Sequence, residues 1–404
     1  MTKEEYLKAF LEALETLSEE ERQQLRDYYE EMLCDGLEQG LTEEECVARF
    51  GDPVKAAAQF QEEYSQESGA ARQKESSLVP MNRPAGEFHT LNLTAEDLRI
   101  EVEPRQEADF RIVFTPDPEV DIIESEERDG VWYFRHKLKK RLFRGLFGFF
   151  RRGDSVLTVQ VPASFSGTLL IQTSNAKIHC GSIQSLPRIS LVSSNSSVEA
   201  ENAGAEDFYC KTSNAHIRLT KLQALSGGKL EAITSNGKIQ GDGLKFGQVF
   251  CKTCNAGISC SQVSCDSLEA QTSNGRIDAR DCAASCLISL VSSNNSVAGE
   301  KLQSETITLS TSNGGVSVRD LSGSHIALRT SNASITGTVR GDMREYATEG
   351  KTSNGSCNIP NLRYPDQQKE FSAVTSNGKI HVDFQPLRRL TAPTPGGFFV
   401  IFLK

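Results

Sequence analysis

Glu199 and Glu201 are the residues whose type and spacing come closest to a catalytic pair, and Arg218 lies close to them in the next copy of the repeat described below. Residues two apart in a strand face the same side, so both carboxylates would point outward. Carboxyl groups about 5–9.5 Å apart can hydrolyse glycosidic bonds. Asp278, the other carboxylate at the repeat position of Glu199, is about 19 Å away at the spacing of neighbouring strands. Solvated charges on a strand surface explain these residues more simply, and a glycan-active enzyme is the disfavoured alternative.

The cysteines include one C-x-x-C pair, Cys251 and Cys254, which Cys260 and Cys265 follow. A zinc ribbon needs two tight turns that present four sulfurs tetrahedrally. The repeat instead assigns Cys251 and Cys260 to buried positions on different strands and Cys254 to a corner, and buried cysteine packs as a small apolar residue. The six histidines are isolated in the sequence and form no ligand pair. We therefore predict no metal, no cofactor and no catalytic residue.

Residues 137–152 combine seven basic side chains with seven large apolar ones. This composition suits an interfacial membrane element, with Phe and Leu among the lipid headgroups and Lys and Arg on anionic lipid. The alternative is a long connection between strands, folded over the end of the main domain. The candidate membrane contacts are Lys139, Lys140, Arg141, Phe143, Arg144, Phe147, Phe149 and Phe150.

An internal repeat organises most of the chain that must position these residues. One phrase, Thr or Ser followed by a variable residue, Asn and a small residue, returns at intervals of 19 to 23 residues. A period in this range is typical of a solenoid. The eleven repeated asparagines are Asn175, Asn195, Asn214, Asn236, Asn255, Asn274, Asn294, Asn313, Asn332, Asn354 and Asn377.

Positions in the repeat are counted here from each asparagine. Positions −6 and −4 are mostly apolar and −2 is always Thr or Ser, whereas +3 is Ile or Val except at Cys357. The period of two before the asparagine indicates a strand with one inward face, and a second strand begins at +3. Position +8 is usually apolar again, as at Leu222 and Leu244.

The asparagine marks a corner between these strands. We expect it to adopt left-handed backbone angles, which it tolerates better than other non-glycine residues. On coils stacked at the strand spacing, asparagine amides can hydrogen-bond from coil to coil, and so can Thr and Ser hydroxyls. The repeat therefore predicts a structural asparagine ladder rather than an active site.

The predicted fold is mainly β: a right-handed parallel β-solenoid of about eleven coils, roughly 50 Å long, with a small N-terminal all-α domain. The expected domains are an acidic helical domain (1–64), a flexible linker (65–87), a β-rich entry or cap region (88–168), the solenoid repeats (169–384) and a C-terminal tail or cap (385–404). The region from 88 to 384 resembles the candidate-adhesin family of bacterial β-helical domains of unknown function. Val161-Pro162 and the recurring Thr-Ser-Asn-Gly-x-Ile carry the resemblance.

The first 64 residues have the periodicity of four short helices. Thr2 with Glu5, Ser18 with Glu21, and Thr42 with Glu45 have the spacing of capping boxes. Residues 1–67 contain nineteen acidic and six basic residues, an excess that favours a basic partner and argues against direct binding of nucleic acid.

This segment resembles the HAAS domain, a helical signalling module associated with PadR-type transcription regulators. The matching features are the helix with Leu7, Leu11 and Leu14, the stretch 27–31, the turn 38–45, and the step 50–53 followed by Ala57. The resemblance implies a PadR-type regulator as partner. The candidate contacts are Tyr28, Tyr29, Met32, Glu43 and Glu44.

The sequence has neither a secretory leader nor a run of apolar residues long enough to span a bilayer. We therefore expect a cytoplasmic protein, and residues 137–152 add the expectation of peripheral contact with the membrane. The predicted function is non-enzymatic binding or scaffolding in bacterial signalling or envelope-stress regulation. The alternative is an adhesin-like surface protein, which would require export by a route that the sequence does not reveal.

Overall fold

The computed structural model describes residues 2–14, 22, 26, 42–58, 61, 79–117, 120–139, 155–183, 186–365 and 367–385. The chain divides into two compact units. One comprises 1–80, 113–123 and 136–157, and the other comprises 81–112, 124–135 and 158–404. No helix within the described ranges is long and apolar enough to cross a membrane.

The described part of the N-terminal unit contains two short amphipathic helices, α1 (Lys3–Glu12) and α2 (Glu43–Phe50), and a further helical turn covers 53–58. The capping boxes at Thr2 and Thr42 are both formed, which confirms two of the three predicted capping boxes. Gly51 ends α2 with a φ of 80°, and Asp52 Oδ1 caps the next turn. The predicted cap at Ser18 and the helix after it lie outside the described residues.

The apolar faces of these helices pack on each other. The buried cluster comprises Tyr6, Leu7, Phe10, Leu11, Leu14, Cys46, Val47, Ala56 and Ala57. The Tyr6 hydroxyl donates to the Phe50 carbonyl at 3.2 Å, so the end of α2 is joined to the start of α1.

The rest of the described chain is dominated by one sheet of twenty-five strands. The strands are β1 (Val79–Pro84), β2 (Thr90–Ala95), β3 (Arg99–Arg105), β4 (Asp109–Phe114), β5 (Asp121–Arg128), β6 (Val131–Leu138), β7 (Val156–Pro162), β8 (Thr168–Thr173), β9 (Ile178–Gly181), β10 (Leu186–Ser193), β11 (Val198–Glu201), β12 (Ala205–Lys211), β13 (Ile217–Thr220), β14 (Lys229–Ile233), β15 (Ile239–Asp242), β16 (Gln248–Lys252), β17 (Ile258–Ser261), β18 (Ser264–Thr272), β19 (Ile277–Ser292), β20 (Val297–Ser310), β21 (Val316–Arg329), β22 (Ile335–Arg340), β23 (Tyr346–Lys351), β24 (Lys369–Val374) and β25 (Ile380–Gln385).

Strands from successive coils pair in parallel and in register. β10 lies between β8 and β12, with Leu191 opposite Ile171 and Cys210. β11 lies between β9 and β13, with Val198 opposite Ile178 and Ile217. Positions −6, −4 and +3 point into the core almost without exception, because period-two patterning puts alternate side chains on one face. The predicted β-solenoid and its inward register are confirmed.

The corner geometry corrects the expectation of left-handed asparagines. None of the ladder asparagines has a positive φ. Within the repeats from residue 169 onward, the non-glycine residues with a left-handed backbone lie instead at position +7. Their φ values are 50–60° at Ser182, Asn202, Lys221, Gln262, Asp281, Lys301 and Asp320, and Gly243 has a φ of 68°.

The entry region contributes a coil of its own before the first asparagine. β2 pairs with β8 and β3 pairs with β9, both in parallel. Asp97 lies between them at the corner, and its Oδ1 accepts from Asn175 Nδ2 at 2.7 Å. Asp97 thus takes the place of asparagine at the first corner, where only an acceptor is needed.

The last two coils stack in the reverse of their chain order. β24 pairs with β21 on one side and with β23 on the other. Asn377 donates to Asn332 at 2.9 Å, and Asn354 donates to Asn377 at 2.7 Å. The coil that comes earlier in the chain, with β23, is therefore the outermost one. β24 and β25, which come later, lie between it and the coil of Asn332.

Candidate binding surfaces

The asparagine ladder is a continuous row of side-chain hydrogen bonds. In the spatial order of the coils, each Nδ2 from Asn195 onward donates to the Oδ1 of the neighbouring coil on its N-terminal side, at 2.6–2.9 Å; at the end of the row Asn377 donates to Asn332 and Asn354 donates to Asn377. The amides along the row thus both donate and accept, which joins the coils to one another.

The hydroxyl at position −2 makes a second set of bonds between coils. Thr253 Oγ1 donates to the Gly237 carbonyl at 3.0 Å, and Thr311 Oγ1 to the Asn295 carbonyl at 2.8 Å. These hydroxyls therefore bond to the backbone of the preceding coil rather than to one another. Burial requires such partners, because an unpaired buried hydroxyl is costly.

Glu199 lies at the centre of a charged cluster that crosses three adjacent coils. Its carboxylate is 2.9 Å from Lys177 Nζ and 3.3 Å from His216 Nε2. His179 is 4.0 Å from Glu199 and 3.7 Å from Glu201. His179 and His216, which stand apart in the sequence, thus meet at one carboxylate. Positions +2 and +4 of neighbouring repeats could have revealed the cluster, since they lie on one outward face.

The surroundings of Glu199 keep its carboxyl group ionised. Partial burial raises its pKa, but hydrogen bonds from Lys177 and His216 and the charges of Lys177 and Arg218 outweigh burial and leave the pKa below its usual value. A general acid in glycoside hydrolysis needs a raised pKa. Asp278 is itself paired with Arg276 at 2.7 Å. This geometry suits an ion-pair network between coils better than paired acid catalysis.

The core cysteines are protonated packing residues. Burial raises the pKa of Cys180 to about 12, and a hydrogen bond that the Cys260 thiol makes to Cys251, followed by burial, raises the pKa of Cys260 well above its usual value. Cys254 is exposed at its corner. Among the described residues no three His, Cys, Asp or Glu side chains are arranged to hold a metal ion.

Exposed carboxylates surround the starts of the two described helices. Glu4, Glu43 and Glu44 are exposed, and Glu43 Oε1 accepts from the Lys3 amide at 3.1 Å, so the two helix starts are adjacent. We call these three residues the acidic surface. Glu5 and Glu45 are engaged in the capping boxes.

Several candidate contact residues lie outside the described residues. They are Tyr28, Tyr29, Met32, Lys140, Arg141, Phe143, Arg144, Phe147, Phe149 and Phe150. Lys139 is described, and its backbone amide donates to the Val120 carbonyl at 2.8 Å.

Stacked coils joined by repeated side-chain bonds, preceded by a small helical module, define a β-solenoid protein. The chain belongs to the Toastrack DUF4097 family, whose model matches residues 88–280 and 224–385. A second match, to the HAAS family, covers residues 5–59 and confirms the resemblance seen in the sequence. Both matches support a binding or scaffold role.

Two solved structures are similar to this chain. A candidate cell adhesion protein from Clostridium sporogenes shares 8% identity at a TM-score of 0.16, over 76% of this chain and 100% of that one. A candidate adhesin from Bacteroides fragilis shares 12% identity at a TM-score of 0.29, over 76% of this chain and 98% of that one. No curated protein matches the sequence.

Proposed function

We propose that this protein is a non-enzymatic signalling scaffold in the cytoplasm. Its helical domain binds a PadR-type transcription regulator while the solenoid presents a long, rigid surface. The HAAS match identifies the module, and the proposal extends that match to the partner. The observation that carries it is the acidic surface at the adjacent helix starts.

The charge of the helical domain exceeds what its fold requires. Carboxylates near helix starts complement the helix dipole, and Glu5 and Glu45 also cap the helices. Glu43 and Glu44 remain exposed, and the segment carries thirteen more acidic than basic residues, nineteen against six over residues 1–67. A small soluble domain needs a net charge of only about 2–8. A winged-helix regulator carries a basic face for DNA phosphates, which the acidic surface complements.

Replacing Glu43 and Glu44 with Lys should weaken binding of the regulator by about tenfold or more, because two attractive charges become repulsive. Isothermal titration of the full chain against the PadR-type regulator encoded nearest to it measures the change. Added salt should weaken binding of the unaltered chain, since screening shortens the range of exposed charges.

The control is Glu12→Lys, which reverses one carboxylate at the other end of α1. Glu12 is exposed and 4.0 Å from Lys8, and its reversal should change the affinity only slightly. Binding that is indifferent to salt and to both variants would instead point to Tyr28, Tyr29 and Met32. The absence of binding at micromolar concentration would remove the proposal.

A second proposal is that residues 137–152 contact anionic membranes. Its support is the composition of the segment, since basic residues contribute about 1 kcal/mol each near an anionic surface. In liposome flotation the intact protein should rise with anionic vesicles at low salt but not with neutral ones. Replacing Phe147, Phe149 and Phe150 with Ser should reduce flotation with the anionic vesicles. If the intact protein stays at the bottom of the gradient with anionic vesicles, residues 137–152 are only a connection between strands.

A further inference from the structure

Near the C-terminal end of the solenoid, the outward surface of the strands that precede the asparagine corner carries small side chains and is therefore recessed. At position −5, four successive coils carry large side chains, the next four carry small ones, and the last coil carries a carboxylate. Over four strand spacings, or about 19 Å, the surface therefore forms a trough. In spatial order the side chains are Tyr209, Glu231, Phe250, Glu269, Ser289, Thr308, Ala327, Ser372 and Glu349.

A returning segment of chain forms the end wall of this trough. Thr348 and Leu362 exchange backbone hydrogen bonds at 2.8 and 3.1 Å, and Asn361 Oδ1 accepts from the Gly350 amide at 2.8 Å. Leu362 remains 38% exposed. The cavity that results has a volume of about 640 Å³, within the range of small-molecule sites.

One cation that lines the trough is left uncompensated. His325 and Arg363 both lie against Glu370, at 3.5 and 3.3 Å, so the Glu370 carboxylate compensates the charge of Arg363. Glu349 accepts from the Ser372 hydroxyl at 3.3 Å. The Arg329 side chain lines the cavity, and its guanidinium has no ion-pair or hydrogen-bond partner among the residues that the structure describes. A guanidinium group in this position suits a carboxylate, which it can bind through two parallel hydrogen bonds.

We propose that the trough binds an acidic oligosaccharide whose carboxylate is held by Arg329. The floor hydroxyl of Thr308, the amide nitrogen of Asn361 and the Glu349 carboxylate supply donors and acceptors for sugar hydroxyl groups. Ala327 and Leu362 supply apolar surface for the C–H face of a ring. This proposal concerns the ligand of the solenoid and does not depend on which partner the helical domain binds.

Other polymers fit the trough less well. A peptide that binds by strand addition needs an unpaired sheet edge, but the outer edge of β23 is occupied at Thr348 and Gly350 by the returning segment. A nucleic acid requires several basic contacts to phosphates, whereas Arg329 is the one uncompensated cation among the described residues that line this cavity.

Binding of the full chain to a printed array of neutral, uronic-acid and sialic-acid oligosaccharides tests the proposal. We expect binding to acidic oligosaccharides only. Titration with the best acidic ligand should show at least a tenfold loss for Arg329→Gln. Ala327→Trp, which fills the floor from the outward side and leaves the core intact, should abolish binding.

Two control variants place the same changes on the other outward face of the coils. Arg280→Gln removes an exposed guanidinium group that has no partner among the described residues, and Ala298→Trp adds the same bulk. Both should bind as the unaltered protein does. The proposal is overturned if no acidic oligosaccharide binds, if Arg329→Gln binds normally, or if the control variants lose binding equally.

Discussion

Ile258→Asp should destabilise the solenoid by about 3–5 kcal/mol, whereas Ser259→Asp should cost less than about 1 kcal/mol. Ile258 is 1% exposed and lies between Ile239 and Ile277 on the neighbouring coils. An aspartate there would lose the apolar contacts and leave a carboxylate without a partner. Ser259 faces outward one residue later, so its replacement keeps the new charge in solvent.

Thermal unfolding of the two variants measures this difference. The melting temperature of Ile258→Asp should fall by roughly 6 °C or more at 2–4 °C per kcal/mol. That of Ser259→Asp should fall only slightly, because the new carboxylate lies opposite Asp278 and like charges repel. Equal melting temperatures would show that the assigned coil register is wrong at this position.

A chain that stops after residue 368 should lose the order of its outermost coil as well as the deleted strands. Removing β24 and β25 takes away Phe371 and Ile380, each 1% exposed, and burial of such side chains stabilises by about 1.5–3 kcal/mol each. Asn354 also loses its ladder partner, Asn377. We expect residues 346–362 to exchange their amide hydrogens rapidly and to be cleaved early by protease.

The control for this truncation stops after residue 385. It retains every described strand, so its exchange and proteolysis patterns over 346–362 should match those of the full chain. If the shorter chain instead protects 346–362, the outermost coil can stack directly on the coil of Asn332. The reversed stacking order would then be dispensable for stability.

Much of the helical unit could be predicted because its signals are local. Thr2 with Glu5 and Thr42 with Glu45 lie three residues apart, so a single turn of helix decides whether each cap forms. The proximity of Lys3 to Glu43 could not be predicted in this way, because it depends on how two helices forty residues apart pack together. The acidic surface is therefore a tertiary feature built from charges that the sequence already displays.

The candidate sites on the solenoid divide similarly. The repeat register predicts that Glu199 lies opposite Arg218, and the structure has the same pairing. The contacts of Glu199 with Lys177 and His216 depend on side chains that reach across neighbouring coils from position +2. The trough depends on the pairing of Ser372 with Ala327, which are 45 residues apart in the chain, so the repeat alone does not predict it.

By itself the sequence determined the stacked coils and which side chains face inward, because alternation of apolar and polar residues assigns each side chain in a strand to one face. It also determined the ladder, because identical residues recur at the same point of every coil. Tertiary structure decided the left-handed turn at position +7 and the reversed order of the last two coils. The ladder bond is the same at every step, so it cannot specify which coil stacks on which. That choice depends on the path of residues 341–368 and on the packing of Phe371 between Ile326 and Thr348.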